Sequence, residues 1–246
     1  MLQRGAFILF EGIDRSGKTT QCNKLVECLQ KSERKPEHWR FPDRSTELGK
    51  VINNFLSSKV ELDDAAVHLV FAANRREKCK DMFNKLNSGI SLVVDRYSYS
   101  GMAYTLAKDI PDMDQQWCMM PERGLPEPDL VLYMRVSPEV AASRGGYGEE
   151  RYEKAEFQKK VAANFDMLKG KNWVEIDAGQ PIQKIHDEVM KAVDDLYSSS
   201  RLSGPVGKLY TADGLKNSLA DGQVVINVVQ NNMSMKASPL PSDVPI

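Results

Sequence analysis

The stretch Gly12-Ile13-Asp14-Arg15-Ser16-Gly17-Lys18-Thr19 fits the phosphate-cradling template GxxxxGK[ST] and follows a strand-like apolar run, Ala6 to Phe10. Glycines at both ends let the backbone close into a loop whose N–H groups converge on phosphate oxygens. The helix that follows turns its positive dipole end toward the same anion. Lys18 adds a movable charge, and Thr19 offers a hydroxyl to a magnesium ion bridging the β- and γ-phosphates. Strand, loop and helix in this order predict a nucleoside triphosphate site.

Working outward, strand and helix alternate. Cys22, Leu25, Val26 and Leu29 recur at helical spacing up to about Ser32, and His38 to Phe41 reads as a short strand. A helix is expected over 63–87, with a stripe of Cys79, Met82, Phe83 and Leu86 and a stop at Gly89. Ile90–Val94 and Leu130–Val136 are continuous apolar runs, which suit strands covered on both faces. Ser137-Pro138 is a good N-cap and first position for the next helix. Phe157, Val161, Phe165 and Leu168 mark another helix, Trp173 to Ile176 a last strand, and Pro181 starts a final helix along Ile185, Val189 and Leu196. The rhythm predicts an α/β fold: a doubly wound, parallel, five-stranded sheet flanked by helices, with its ligand crevice at the strands' carboxyl ends.

The chain of 246 residues, 41% hydrophobic and 27% charged, has the composition and length for one substantial α/β domain. We place that domain at 1–210. The serine run at 198–200 opens a change in composition, and 211–246 is expected to be a largely mobile extension in which only Gln223–Val229 is β-prone. A net charge of −1 gives no footprint for polymeric nucleic acid. Cys22, Cys28, Cys79 and Cys118 show no CxxC spacing, and no Cys/His set has zinc-motif spacing, so reduced thiols are expected. The apolar run between Arg4 and Glu11 is too brief for a secretory core or a membrane span. A cytoplasmic protein is expected, with nuclear or mitochondrial pools left open.

A phosphate loop alone leaves motor, switch, transporter subunit and kinase open. The second cluster is Asp95-Arg96-Tyr97. Asp95 follows a buried strand at the end where the loop lies, where a carboxylate can order magnesium through water, and Arg96 is placed to bridge two phosphates. The alternative is a strand-end Asp that caps the next helix beside a solvated Arg. Further arginines stand in Phe41-Pro42-Asp43-Arg44-Ser45-Thr46, in Phe71-Ala72-Ala73-Asn74-Arg75, and at Arg144 and Arg151. Transfer between a triphosphate and a monophosphate gathers about six negative charges in one pocket, and several guanidinium forks answer that repulsion. Phe71 lies one helical turn from Arg75, so a ring to stack on a base and a donor for its edge share a face. The glycine-hinged segment around 144–152 reads either as a lid or as an exposed connector. A switch protein is disfavoured, because the chain has neither an NKxD guanine-reading element nor a DxxG after a second strand. His38, His68 and His186 are assigned to packing or surface.

Taken together, Phe10-Glu11-Gly12, Asp14-Arg15, Gly17-Lys18-Thr19-Thr20, Phe41 to Thr46, Phe71 with Asn74-Arg75, Asp95-Arg96-Tyr97, Gly124-Leu125-Pro126, Pro128-Asp129-Leu130 and Glu150-Arg151-Tyr152-Glu153 resemble thymidylate kinase of the eukaryotic and poxviral type. The resemblance runs from about Gly5 to Tyr210. It implies phosphoryl transfer from magnesium ATP to dTMP in a homodimer, with Lys18, Arg15, Arg96 and Asp95 catalytic and Thr19 and Asp95 serving the metal. It implies an ATP site at Gly12, Asp14, Arg15, Ser16, Gly17, Lys18, Thr19, Thr20 and Arg144. The implied dTMP site comprises Asp14, Phe41, Arg44, Phe71, Arg75, Arg96, Ser100, Gly101, Tyr104 and Tyr152. A kinase for dUMP or UMP is the alternative. Arg76 departs from the family, which usually carries tryptophan there, and the chain extends past the usual end.

Overall fold

A computed structural model describes residues 3–32, 34–144 and 150–211. Most of the expected extension at 211–246, its β-prone run and residues 145–149 of the glycine-hinged segment therefore lie outside the described residues.

Five strands form one sheet: β1 (Phe7–Glu11), β2 (Pro36–Arg40), β3 (Ser91–Asp95), β4 (Leu130–Arg135) and β5 (Trp173–Asp177). They are all parallel in the order β2-β3-β1-β4-β5. All of β1 and β3 is buried, which explains why their sequences are continuous apolar runs rather than alternating ones. In register, Phe10 lies opposite Asp95 and Glu11 opposite Tyr133, so three strands end their carboxyl edges side by side. The chain reverses direction across the sheet at β1, and the crevice opens there.

The expected helices appear as α1 (Lys18–Gln30), α3 (Asp64–Asn87), α6 (Pro138–Ala142), α7 (Ala155–Leu168) and α8 (Ile182–Ser198). Ser137 caps α6 by accepting from the Val140 N–H. Leu25, Leu29, Phe165, Val189 and Leu196 are buried in the main core, each such side chain contributing about 1.5–3 kcal/mol by leaving water. Three helices were not expected: α2 (Glu47–Leu56), α4 (Ser98–Leu106) and α5 (Gln115–Met119). Thr46 caps α2, and Ile52, Phe55 and Leu56 bury its inner face, a signal present in the sequence.

Two motifs prove structural. Asp129 accepts from Arg4 and from the Phe7 N–H, fixing the start of β1. Gly124 and Leu125 pair with Leu209 through 2.9 and 2.8 Å backbone bonds, seating the chain's 204–210 segment. All four cysteines are free thiols, as expected. No helix among the described residues is long and apolar enough to cross a membrane.

Candidate active site

The loop between β1 and α1 closes because Gly12 and Gly17 adopt φ of 142° and 92°. A Cβ on Gly12 would sit 2.6 Å from the Met134 carbonyl oxygen, so no other residue fits. Arg15 is also left-handed, at φ 59°, a strain of about 1 kcal/mol that ordinary turns avoid. Lys18 Nζ donates to Gly12 O (3.1 Å), Ile13 O (2.6 Å) and Ser16 Oγ (3.1 Å), spending all three protons. Burial, helped by the nearby Arg96 charge, pulls the Lys18 ammonium down to about 7, against the opposing pull of Asp95, Asp14 and Glu11. Thr19 Oγ1 donates to Asp95 Oδ2, so the two oxygens assigned to the metal are in contact.

Arg96, at φ 67°, is half-buried, with 15% of its side chain exposed, and is held by protein groups rather than solvated. Its Nη1 donates to Gly12 O (3.0 Å) and Ser100 Oγ (3.1 Å), and its Nη2 to Asp14 Oδ1. It therefore ties the phosphate loop to α4. Asp14 also accepts from Tyr104 Oη (2.9 Å) and Gln158 Nε2 (2.7 Å). Burial alone would raise the Asp14 carboxyl, but Arg96, Lys18 and these two donors outweigh it and hold it below the usual carboxylate range. The alternative reading of Asp95-Arg96 fails on both counts. The cap of α4 is Glu11, whose Oε1 accepts from Tyr97 N and Ser100 N at 3.0 Å each. Burial pushes the Glu11 carboxyl above its usual range, against the Ser100 bonds and the charges of Arg96 and Lys18.

Phe71 and Arg75 share the inner face of α3, as their spacing predicts, and both line the cavity. Arg75 is buried, and Glu122 holds it through Nε and Nη2. Gly101 makes room for this pair, since a Cβ there would lie 2.5 Å from Arg75 Nη2. Arg76 donates to the carbonyls of Pro121 (2.9 Å) and Arg123 (2.7 Å), bracing the turn that carries Glu122. Tyr152 stacks on Phe157 at 5.1 Å and meets Tyr104 edge-on.

Asn74 pins the 43–46 loop through Asp43 N (2.8 Å), Asp43 O (3.1 Å) and Thr46 Oγ1 (3.0 Å). Arg44 reaches from that loop to Glu150 (2.6 Å) and Asn53 (3.0 Å). Arg15 pairs with Glu153, and Arg144 donates to the carbonyls of Arg15 and Ala178, both at 2.6 Å. Arg151 is the exception among the arginines singled out. It points away to Glu61 and the Phe55 carbonyl, an anchor for the segment rather than a phosphate ligand.

One cavity of about 660 Å³ joins these parts. Ser16 to Thr20 with Arg144 form one end and Phe71, Arg75, Tyr104 and Tyr152 the other. Asp14, Arg15, Phe41, Arg44, Asp95, Arg96, Ser100 and Gly101 also line it. Of the expected residues only Gly12 does not, and its carbonyl accepts from both Lys18 and Arg96.

The thymidylate kinase family model matches residues 10–189. The chain belongs to the thymidylate kinase family. It is 47% identical over 211 residues to the thymidylate kinase of Danio rerio, covering 85% of this chain and 98% of that protein. The human thymidylate kinase is 42% identical over the same length, with the same coverage. A solved thymidylate kinase from Candida albicans, whose structure is titled as revealing the origin of broad substrate specificity, superposes with a TM-score of 0.72 at 38% identity. The match covers 79% of this chain and 93% of that one. Among residues the thymidylate kinase motifs name without a role, the structure brings Glu11, Asn74 and Glu153 into the site. Gln158 and Glu122 stand outside the site residues expected from sequence. Gln158 gave a weak signal, a polar residue beside Phe157 on the helix that packs on α4, and Glu122 gave none.

Proposed function

We propose that the chain transfers the γ-phosphoryl group of ATP to the phosphate of dTMP, giving dTDP and ADP. One observation carries the reading: a single cavity holds a phosphate loop at one end and an aromatic and arginine-lined base pocket at the other, with Arg96 tied to both walls. Family membership supports the enzyme class and the acceptor.

Catalysis is positional and electrostatic, without a covalent enzyme intermediate. The loop N–H groups, Lys18 and Arg15 bind the donor phosphates, and Lys18 exchanges its loop carbonyls for phosphate oxygens. Arg44 and Arg96 hold the acceptor phosphate, and Arg96 offsets charge that spreads as the phosphoryl group moves. Phe71 stacks on thymine, Arg75 bonds its edge, and Tyr104, Ser100, Gly101, Phe41 and Tyr152 complete the pocket. Asp14 orients Arg96 and faces the sugar. The paired oxygens of Thr19 and Asp95 are a hard donor set suited to magnesium. That ion, when bound, neutralises charge on the β- and γ-phosphates. Family resemblance supports a cytoplasmic homodimer, which light scattering and cell fractionation would check.

The test is ADP release measured with dTMP, dUMP, UMP and AMP as acceptors, the panel being motivated by the breadth ascribed to the Candida enzyme. Highest kcat/KM on dTMP is expected. A preference for UMP or AMP, or no turnover with any of the four, would overturn the reading.

A further inference from the structure

Asp95 has two neighbours that phosphoryl transfer does not use. A Cys22 Sγ, a His38 ring nitrogen and an Asp95 carboxylate oxygen all lie within 4.8 Å of one another. Sequence spacing hides this set because its members come from three elements. Cys22 is on the core stripe of α1, His38 stands opposite Val93 on β2, and Asp95 ends β3. Cys22 and Asp95 are buried, whereas His38 is exposed and opens the set to solvent. The other two histidines are engaged, His68 with Thr105 and the Cys118 carbonyl and His186 with Gln21. No hydrogen bond holds the His38 ring to another described residue.

We propose that Cys22, His38 and Asp95 form a binding site for a borderline-soft divalent cation of the zinc type, and that filling it inhibits phosphoryl transfer by drawing Asp95 away from Thr19. One thiolate, one imidazole and one carboxylate, with a water in the fourth position, make a tetrahedral zinc set. Bonds of about 2.0–2.3 Å bring tetrahedral donors to about 3.5 Å apart, so each side chain moves by less than about 1 Å to close the site. Sulfur and nitrogen donors select zinc or cobalt over magnesium, so abundant magnesium does not occupy Cys22 and His38. Binding releases the Cys22 thiol proton to solvent. The inhibitory half of the proposal rests on the kinase reading above, and the binding half does not.

The test uses the full chain, nucleotide-free and reduced with a phosphine. Titration with Co²⁺ is expected to raise a near-ultraviolet thiolate-to-metal charge-transfer band that saturates at one equivalent. Cys22→Ser removes the band, and His38→Gln weakens Co²⁺ binding by about tenfold or more. In kinase assays at saturating magnesium, free Zn²⁺ inhibits the native chain. His38→Gln leaves zinc-free turnover unchanged and moves the inhibition midpoint up by about tenfold or more. Absence of the band, its survival in Cys22→Ser, or one inhibition midpoint for native and His38→Gln protein would each overturn the proposal. If Cys22→Ser does not fold, His38→Gln decides alone. A native chain that gives the band but phosphorylates no monophosphate keeps the metal site and removes the kinase reading.

Discussion

Glu122 grips Arg75 through both carboxylate oxygens, each 3.0 Å from Nε, with side-chain exposures of 0% and 2%. The guanidinium is thus fixed before any nucleotide arrives, which removes the entropy cost of ordering a long side chain on binding. Among the described residues only Nε and Nη2 are engaged, which leaves Nη1 for a ligand in the cavity that Arg75 lines.

Glu122→Ala leaves a buried arginine without its counter-charge and should cost about 3–5 kcal/mol of folding stability. Chemical denaturation measures it. The double variant Arg75→Met, Glu122→Leu should recover most of that stability while its KM for dTMP stays high. If Glu122→Ala unfolds at the native denaturant midpoint, the pair is not what orders this wall.

Gly101→Ala places a methyl 2.5 Å from Arg75 Nη2, an atom that Glu122 does not release. We expect a loss of about 1–3 kcal/mol in stability and a raised KM for dTMP with KM for ATP little changed. Steady-state kinetics with each nucleotide varied in turn checks the split. An equal rise in both constants would contradict it.

Arg96→Ala removes the guanidinium that, among the described residues, bonds both the phosphate loop, at Gly12 and Asp14, and Ser100 of α4. Turnover should fall by about 10³ or more, the low end for an arginine that stabilises phosphoryl transfer. Single-turnover quench flow separates chemistry from product release. Turnover near that of the native chain would take Arg96 out of the mechanism.

Lys18, drawn down to about 7 by burial and by Arg96, is largely neutral in the free protein at pH 8. The donor's negative charge raises it again, so ATP binding should take up about 0.9 proton at pH 8 and about 0.1 at pH 6, given a free-state value of about 7. Calorimetry in buffers of different ionisation enthalpy counts these protons. The sign for folding follows from the same depression: below pH 7 both folded and unfolded chains hold the proton and its burial counts fully against stability. That cost is relieved as pH rises from about 7 toward 10.5, because only the unfolded chain still binds the proton. Uptake that does not grow between pH 6 and 8 would refute this account.

What the sequence alone determined is local or periodic. The phosphate loop is read from contiguous residues, the buried strands β1, β3 and β4 from apolar runs, and the pairing of Phe71 with Arg75 from the 3.6-residue turn. Thr46 as a cap with Ile52, Phe55 and Leu56 at helical spacing likewise encodes α2 locally. Tertiary structure alone decided which distant partner meets each of these groups. Helix α4, SYSGMAYTL, is a poor helix former by composition. It starts where it does because the Glu11 carboxylate, delivered by β1, accepts two of its orphan N–H groups. In the same way Gln158 reaches Asp14 across 144 residues and Glu122 reaches Arg75 across 47. A buried charge must find its partner in space, and the partner's distance along the chain carries no energy, so no local pattern records it.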